Sequence, residues 1–191
     1  MITLTIMDKI GLLTGILVKT EDIMEGVKKE MRQFSTPCPD YKVEDLINHM
    51  VGWLRLFDAE CNGRIYDENA AEYHCQIHPA TEFHAAAKSL IDGWKKYGFD
   101  RTVHFVSGDL PAEMVYTMTT MEYLTHGWDL AVATDQPIPY TEQEAEATLA
   151  RAVITLPPKY RGTNMPFGEI VEVADSAPAM DRFIGFMGRK S

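Results

Sequence analysis

Met114 to Thr134 reads MVYTMTTMEYLTHGWDLAVAT. Met114, Met118, Met121, Trp128 and Val132 recur in it at helical intervals, which predicts one long helix whose apolar stripe faces the core of a bundle. Glu122 and His126 interrupt that pattern four residues apart. An ionised carboxylate removed from water is costly unless it is paired, hydrogen-bonded or metal-bound, so Glu122 asks for a partner. At this spacing the carboxylate and the imidazole project from one helical face as neighbours, and a helix can present two ligands to one cation in that way.

The flanks place this helix fourth. Pro111 suits its first turn and Thr134-Asp135-Gln136-Pro137 ends it. Beyond the turn, Thr141 and Glu144 form a capping-box pattern for a fifth helix running to about Thr155. The tail offers a strand at Ile170 to Val173 and a short helix around Met180 to Met187. Upstream, Leu12, Ile16, Ile23 and Val27 mark a first helix from Asp8 to about Arg32. The prolines of STPCPDY (35–41) stop it. From near Lys42, Val43, Leu46, Ile47, Met50, Trp53, Leu54 and Phe57 trace a second helix with His49 at the border of its stripe. Asn62 to Ala80 is polar and irregular, Thr81 can cap a third helix closed by Tyr97-Gly98, and Arg101 to Val106 alternates as one short strand. The reading is a mainly α chain, one domain over residues 1–191.

Composition narrows the setting. A chain of 191 residues with 46% hydrophobic and 24% charged residues is ordinary globular material. Its net charge of -10 disfavours nucleic acid and anionic membrane surfaces as partners. The apolar run Ile10 to Val18 is too short to span a bilayer and lacks a signal-peptide cleavage pattern, so a cytoplasmic location is expected. Cys38, Cys61 and Cys75 are odd in number and lack a CxxC pair, which indicates reduced thiols. Cys38 lies between two prolines, yet no sequence feature lowers its pKa as a reactive thiol requires.

A third ligand for Glu122 and His126 has to come from another helix. His49 is the one other histidine well inside a long amphipathic helix, and antiparallel packing would bring it opposite the pair. Two nitrogens and one carboxylate oxygen form a catalytic zinc set with one position open. Nickel, cobalt or iron would also accept these ligands. The residues alone leave alternatives open: His49 as a hydrogen-bonded core-edge histidine, or Glu122 paired with His126 or with an arginine. Asp129 follows His126 by three and could orient its ring. His74, His78 and His84 form a competing group, but their surroundings are polar and broken by Pro79, as in a solvated loop.

Two segments carry a family resemblance. TPCPDYKVEDLINHM (36–50) and EYLTHGWDLAVAT (122–134) resemble the metal-binding domain of mycothiol-dependent maleylpyruvate isomerases, a branch of the DinB-like four-helix-bundle superfamily. RGTNMPFGEIVEV (161–173) and APAMDRFIGFMGR (177–189) resemble the same family's later portion. The resemblance implies a DinB-like four-helix bundle with one or two short strands and extra C-terminal helices. It maps the family's metal ligands onto His49, Glu122 and His126, the same set that placement suggests. It also implies a divalent metal, zinc by preference with nickel admissible, a low-molecular-weight thiol cosubstrate of the mycothiol type, a small-molecule substrate and compatibility with a homodimer. The isomerases carry a further C-terminal domain that this sequence does not continue into, so the expectation is a thiol-dependent S-transferase or isomerase-like enzyme that brings the thiol to a small electrophile, with maleylpyruvate isomerisation itself less expected. Hydrolysis by metal-bound water and a noncatalytic ligand- or partner-binding bundle are the other two readings.

Overall fold

The computed structural model describes residues 5–105, 108–162 and 167–190. Helix α1 spans Ile6–Glu25, capped by a reciprocal Thr5–Asp8 box that the sequence reading passes over. It does not reach Arg32. Gln136 donates to the carbonyl of Ile23 at 2.9 Å, satisfying a helix-end acceptor, and the chain leaves through Gly26 into a 3-10 turn at Lys29–Met31. Helix α2 spans Val43–Cys61, as the stripe predicts.

Helix α3, Pro79–Tyr97, starts two residues before the Thr81 cap that the sequence suggests. Proline at the first helical position needs no amide partner there. Glu82 then secures the preceding loop by accepting from the amides of Gln76 and Ile77, at 2.6 and 2.7 Å. The single expected strand is a hairpin: β1, Thr102–Phe105, pairs antiparallel with β2, Gly108–Pro111. Val106, its expected end, lies outside the described residues. Helices α4 (Ala112–Ala133), α5 (Glu142–Thr155) and α6 (Ala179–Phe186) complete the order, with the Thr141–Glu144 capping box in place on α5. Ile170 to Val173 is not a strand. No neighbouring strand runs beside it among the described residues, and Val171 instead donates to the carbonyl of Gly185 on α6 at 2.9 Å.

In the bundle, α1 and α2 each pack against α3 and α4, so α1 and α2 lie across a diagonal. Helix α5 covers the outer side of α4 and α6 packs on α5. This is the DinB-like helical architecture. Being covered by α1, α2 and α5, α4 buries far more than one stripe. Val132, assigned to the core from its spacing, is 44% exposed, whereas Val115, Tyr116, Thr119, Tyr123 and Leu130 are fully enclosed. A one-face reading fails for a helix surrounded on most of its circumference. Thr117, Thr119, Thr120 and Thr134 tolerate burial because each donates to the carbonyl four residues back, whereas the buried Thr125 hydroxyl has no partner among the described residues. No described helix is long and apolar enough to cross a membrane.

Candidate metal centre

Helices α2 and α4 run antiparallel. Arg101, just before the hairpin, donates to the carbonyl of Cys61 at the end of α2 (2.7 Å) and accepts from the amide of Ala112 at the start of α4 (2.9 Å), so those two ends meet. His49, in the first half of α2, therefore faces the second half of α4. Two contacts fix the register. The Tyr123 hydroxyl donates to the carbonyl of Met50 at 3.1 Å, and His49 Nε2 lies 2.8 Å from Glu122 Oε1. On its other side α4 sits close to α1 at Gly127, where a Cβ would collide with the Tyr140 hydroxyl that bonds Thr20 at 2.8 Å.

All three sequence-predicted ligands meet. His126 Nε2 lies 3.6 Å from the same Glu122 oxygen, and one ligand atom from each of His49, Glu122 and His126 falls within 4.8 Å of the other two. The side chains are 14%, 22% and 10% exposed, so the site is recessed but not sealed from solvent. Burial pushes the Glu122 carboxyl up, but His126 and the hydrogen bond from His49 outweigh it and hold the group at about 2. Glu122 is thus an anion at neutral pH.

The outer nitrogens of the two imidazoles are held differently. His49 Nδ1 lies 3.0 Å from the Tyr41 hydroxyl, and His126 Nδ1 lies 2.9 Å from Asp129 Oδ2. A carboxylate can only accept, so neutral His126 carries its proton on Nδ1 and turns the Nε2 lone pair inward. A hydroxyl can donate or accept, so His49 can give its Nε2 proton to a hydrogen bond with Glu122, or hold the proton at Nδ1 and free Nε2 for a cation. Tyr41 is positioned by the TPCPDY turn, where Thr36 Oγ1 lies 2.8 Å from the carbonyls of both Cys38 and Tyr41 and can donate its one proton to either. Asp129 fulfils the orienting role its spacing suggests. Tyr41 and Arg189 are residues the sequence reading did not single out, although both stand inside the quoted family-like segments.

Cys38, His126 and Asp129 form a second convergent group. It is poorly suited to a cation, because Asp129 already accepts from Arg189 at 2.9 and 3.3 Å. Burial raises the pKa of the Cys38 thiol in spite of the nearby Arg189 charge, which opposes a nucleophilic role. The other histidines disperse: His74 bonds Asn48, His78 lies 3.5 Å from Glu25 and His84 lies 3.0 Å from Glu21, all exposed. Tyr123 and Trp128 are packed in the core, while half-buried Trp53 sits 6.0 Å from the His49 ring with its indole nitrogen buried and unpartnered among the described residues.

The model of the family described as "Mycothiol maleylpyruvate isomerase N-terminal domain" matches residues 17–131, more than half of the 191. The chain belongs to this family. The matched span of the family domain contains His49, Glu122, His126 and Asp129 and leaves out Arg189. Two uncharacterised proteins of Mycobacterium tuberculosis, from strains CDC 1551 / Oshkosh and ATCC 25618 / H37Rv, are each 26% identical over 167 residues, covering 87% of this chain and 90% of theirs. The fold is similar to that of a substituted variant of mycothiol-dependent maleylpyruvate isomerase, with a TM-score of 0.65 and 15% identity, over 87% of this chain and 77% of that one. A second structure of mycothiol-dependent maleylpyruvate isomerase gives 0.58 and 18% identity over 78% of this chain and 71% of that one.

Proposed function

We propose that this member of the maleylpyruvate isomerase N-terminal domain family is a metal-dependent enzyme that activates a low-molecular-weight thiol for attack on a small electrophile. One observation carries the reading: two imidazoles from separate helices turn their Nε2 atoms onto a single carboxylate oxygen, while each Nδ1 is engaged by an outer partner. Two nitrogens and an oxygen, in a recess not sealed from solvent, are the donor set of a catalytic zinc site rather than a closed structural one. The donor set fits a divalent cation, zinc by preference and nickel by the same ligands. When bound, such a cation stabilises the thiolate form of a coordinating thiol at neutral pH.

The chain's own groups complete the arrangement. Tyr41 and Asp129 hold the imidazoles in ligand orientation, and Glu122 supplies the negative charge that neutralises part of the cation's. Trp53 walls the site beside His49 and leaves an N–H donor free. Burial raises the pKa of the Cys38 thiol, which disfavours it as the attacking sulfur, and in this reading the nucleophile is a small-molecule thiol. The relatives' name supports a mycothiol-type thiol for that part.

The test combines elemental analysis with thiol consumption. Purified protein should carry close to one equivalent of metal and should accelerate consumption of a bacterial low-molecular-weight thiol by a model electrophile above the His126→Ala rate. Metal below about a tenth of an equivalent, unchanged in His49→Ala, would sink the metal reading, since a formed site retains its cation. Turnover of an ester or amide probe without thiol would instead favour hydrolysis by bound water.

A further inference from the structure

The Asp129 carboxylate is fully buried, and a buried charge without a partner is costly. Among the described residues it has two partners. Oδ2 accepts from His126 Nδ1 at 2.9 Å and from an Arg189 terminal nitrogen at 2.9 Å, and Oδ1 accepts from Arg189 Nε at 3.3 Å. The forked contact is the directional form of an arginine–carboxylate pair and fixes the carboxylate plane as well as its charge. The guanidinium, itself 12% exposed, also donates to the carbonyl of Met187 at 2.9 Å, so it is held from both sides.

The end of α6 determines how Arg189 arrives there. After Met187, Gly188 adopts φ +81, donates to Gly185 at 3.0 Å, and is followed by Arg189, whose amide donates to Ile184 at 2.9 Å. These two bonds and the left-handed residue are a Schellman ending, for which glycine is the favoured occupant. A Cβ at position 188 would also press on the Glu169 carbonyl at 3.0 Å. The motif turns the chain back so that the next side chain points into the bundle, onto a residue of α4 two helices away.

We infer that Arg189 is a positioning residue of the metal centre: by clamping Asp129 it fixes the His126 ring with Nδ1 protonated and Nε2 directed at Glu122. The inference rests on the metal reading above for its affinity readout and is independent of it for its tautomer readout. Without the clamp, Asp129 would be free to rotate and the lone pair of His126 would lose its defined direction. Partners one step behind a ligand contribute about 10- to 100-fold to metal affinity.

The experiment compares wild type with Arg189→Gln and Arg189→Lys. Co(II) is titrated into each metal-free protein, and imidazole nitrogen shifts are recorded by NMR for each metal-free protein at mildly alkaline pH. In wild type His126 should be a single Nδ1–H tautomer. Arg189→Gln should convert it to a tautomer mixture, weaken Co(II) binding on the order of 10-fold or more and alter the visible Co(II) spectrum. Arg189→Lys keeps the charge without the fork and should fall between. A purely structural arginine would lower the melting temperature and leave tautomer, spectrum and affinity unchanged, and that result overturns the inference. Should wild type itself bind no Co(II), the metal reading fails and the tautomer alone decides the clamp. Should Arg189→Gln fail to fold, Arg189→Lys decides it by the same signals.

Discussion

Glu122 and His126 on α4, and His74 and His78 ahead of α3, share the spacing of four residues and meet opposite fates. The first pair joins His49 in a recess where side chains are at most 22% exposed. Of the second group, His78 and His84 keep 57% and 62% of their surface and reach separate carboxylates on α1. Spacing is therefore a weak criterion. What separates the groups is whether the intervening residues are one continuous helix whose face another helix covers. Residues 73–78 precede α3 and are not helical, so His74 and His78 do not share a helical face.

The largest effect that could break this contrast is loss of a ligand. His49→Ala, Glu122→Gln or His126→Ala should each weaken Zn(II) binding by more than about 100-fold, beyond the usual effect of an outer partner, whereas His74→Ala, His78→Ala and His84→Ala should leave it within about twofold. Competition against a chromophoric chelator measures both sets. Comparable losses in the two groups would erase the distinction drawn from burial. In His84→Ala the missing contact with Glu21 is an exposed pair, worth about 0 to 1 kcal/mol, so that variant should melt nearly as wild type does.

Within the recessed group a smaller contrast sharpens the account. Tyr41→Phe removes an uncharged partner of His49, and Asp129→Asn removes a buried carboxylate shared by His126 and Arg189. Both should weaken metal binding within the range of about 10- to 100-fold typical of such partners, with Asp129→Asn the larger loss. Asp129→Asn should also destabilise the fold by about 3 to 5 kcal/mol, because it leaves Arg189 buried without its counter-charge. Chelator competition and urea unfolding of the two variants check the order, and a larger loss for Tyr41→Phe would reverse it.

The same contrast explains how much was legible in the sequence. Helix α2 was readable because its apolar residues keep a helical period, and α5 because a capping box opens it. Helix α4 was readable as an element but not in orientation: covered on most sides, it has no single apolar face, and Val132 was assigned to a core it does not enter. The hairpin partner Gly108–Pro111 carries neither β-branched residues nor alternation, so nothing local announced it. In the site, His49, Glu122 and His126 stood out as polar residues on or beside apolar faces. Tyr41 and Arg189 could not stand out, because an aromatic in a proline turn and a cation near a chain end are unremarkable until tertiary structure aims them.

The finest distinction concerns acid. The Glu122 carboxyl is held at about 2 in the fold, below the roughly 4.3 expected of an unfolded chain. As pH falls, the unfolded state takes up that proton first. The stabilisation by ionised Glu122 is therefore complete above about pH 4.3 and is lost as pH descends toward about 2. Metal-free wild type and metal-free Glu122→Gln should differ in urea midpoint at about pH 5, and the gap should narrow as pH falls below it. Parallel curves for Glu122→Gln and wild type would mean that the two imidazoles do not hold the carboxylate as an anion, and the recessed and exposed groups would then differ in burial alone.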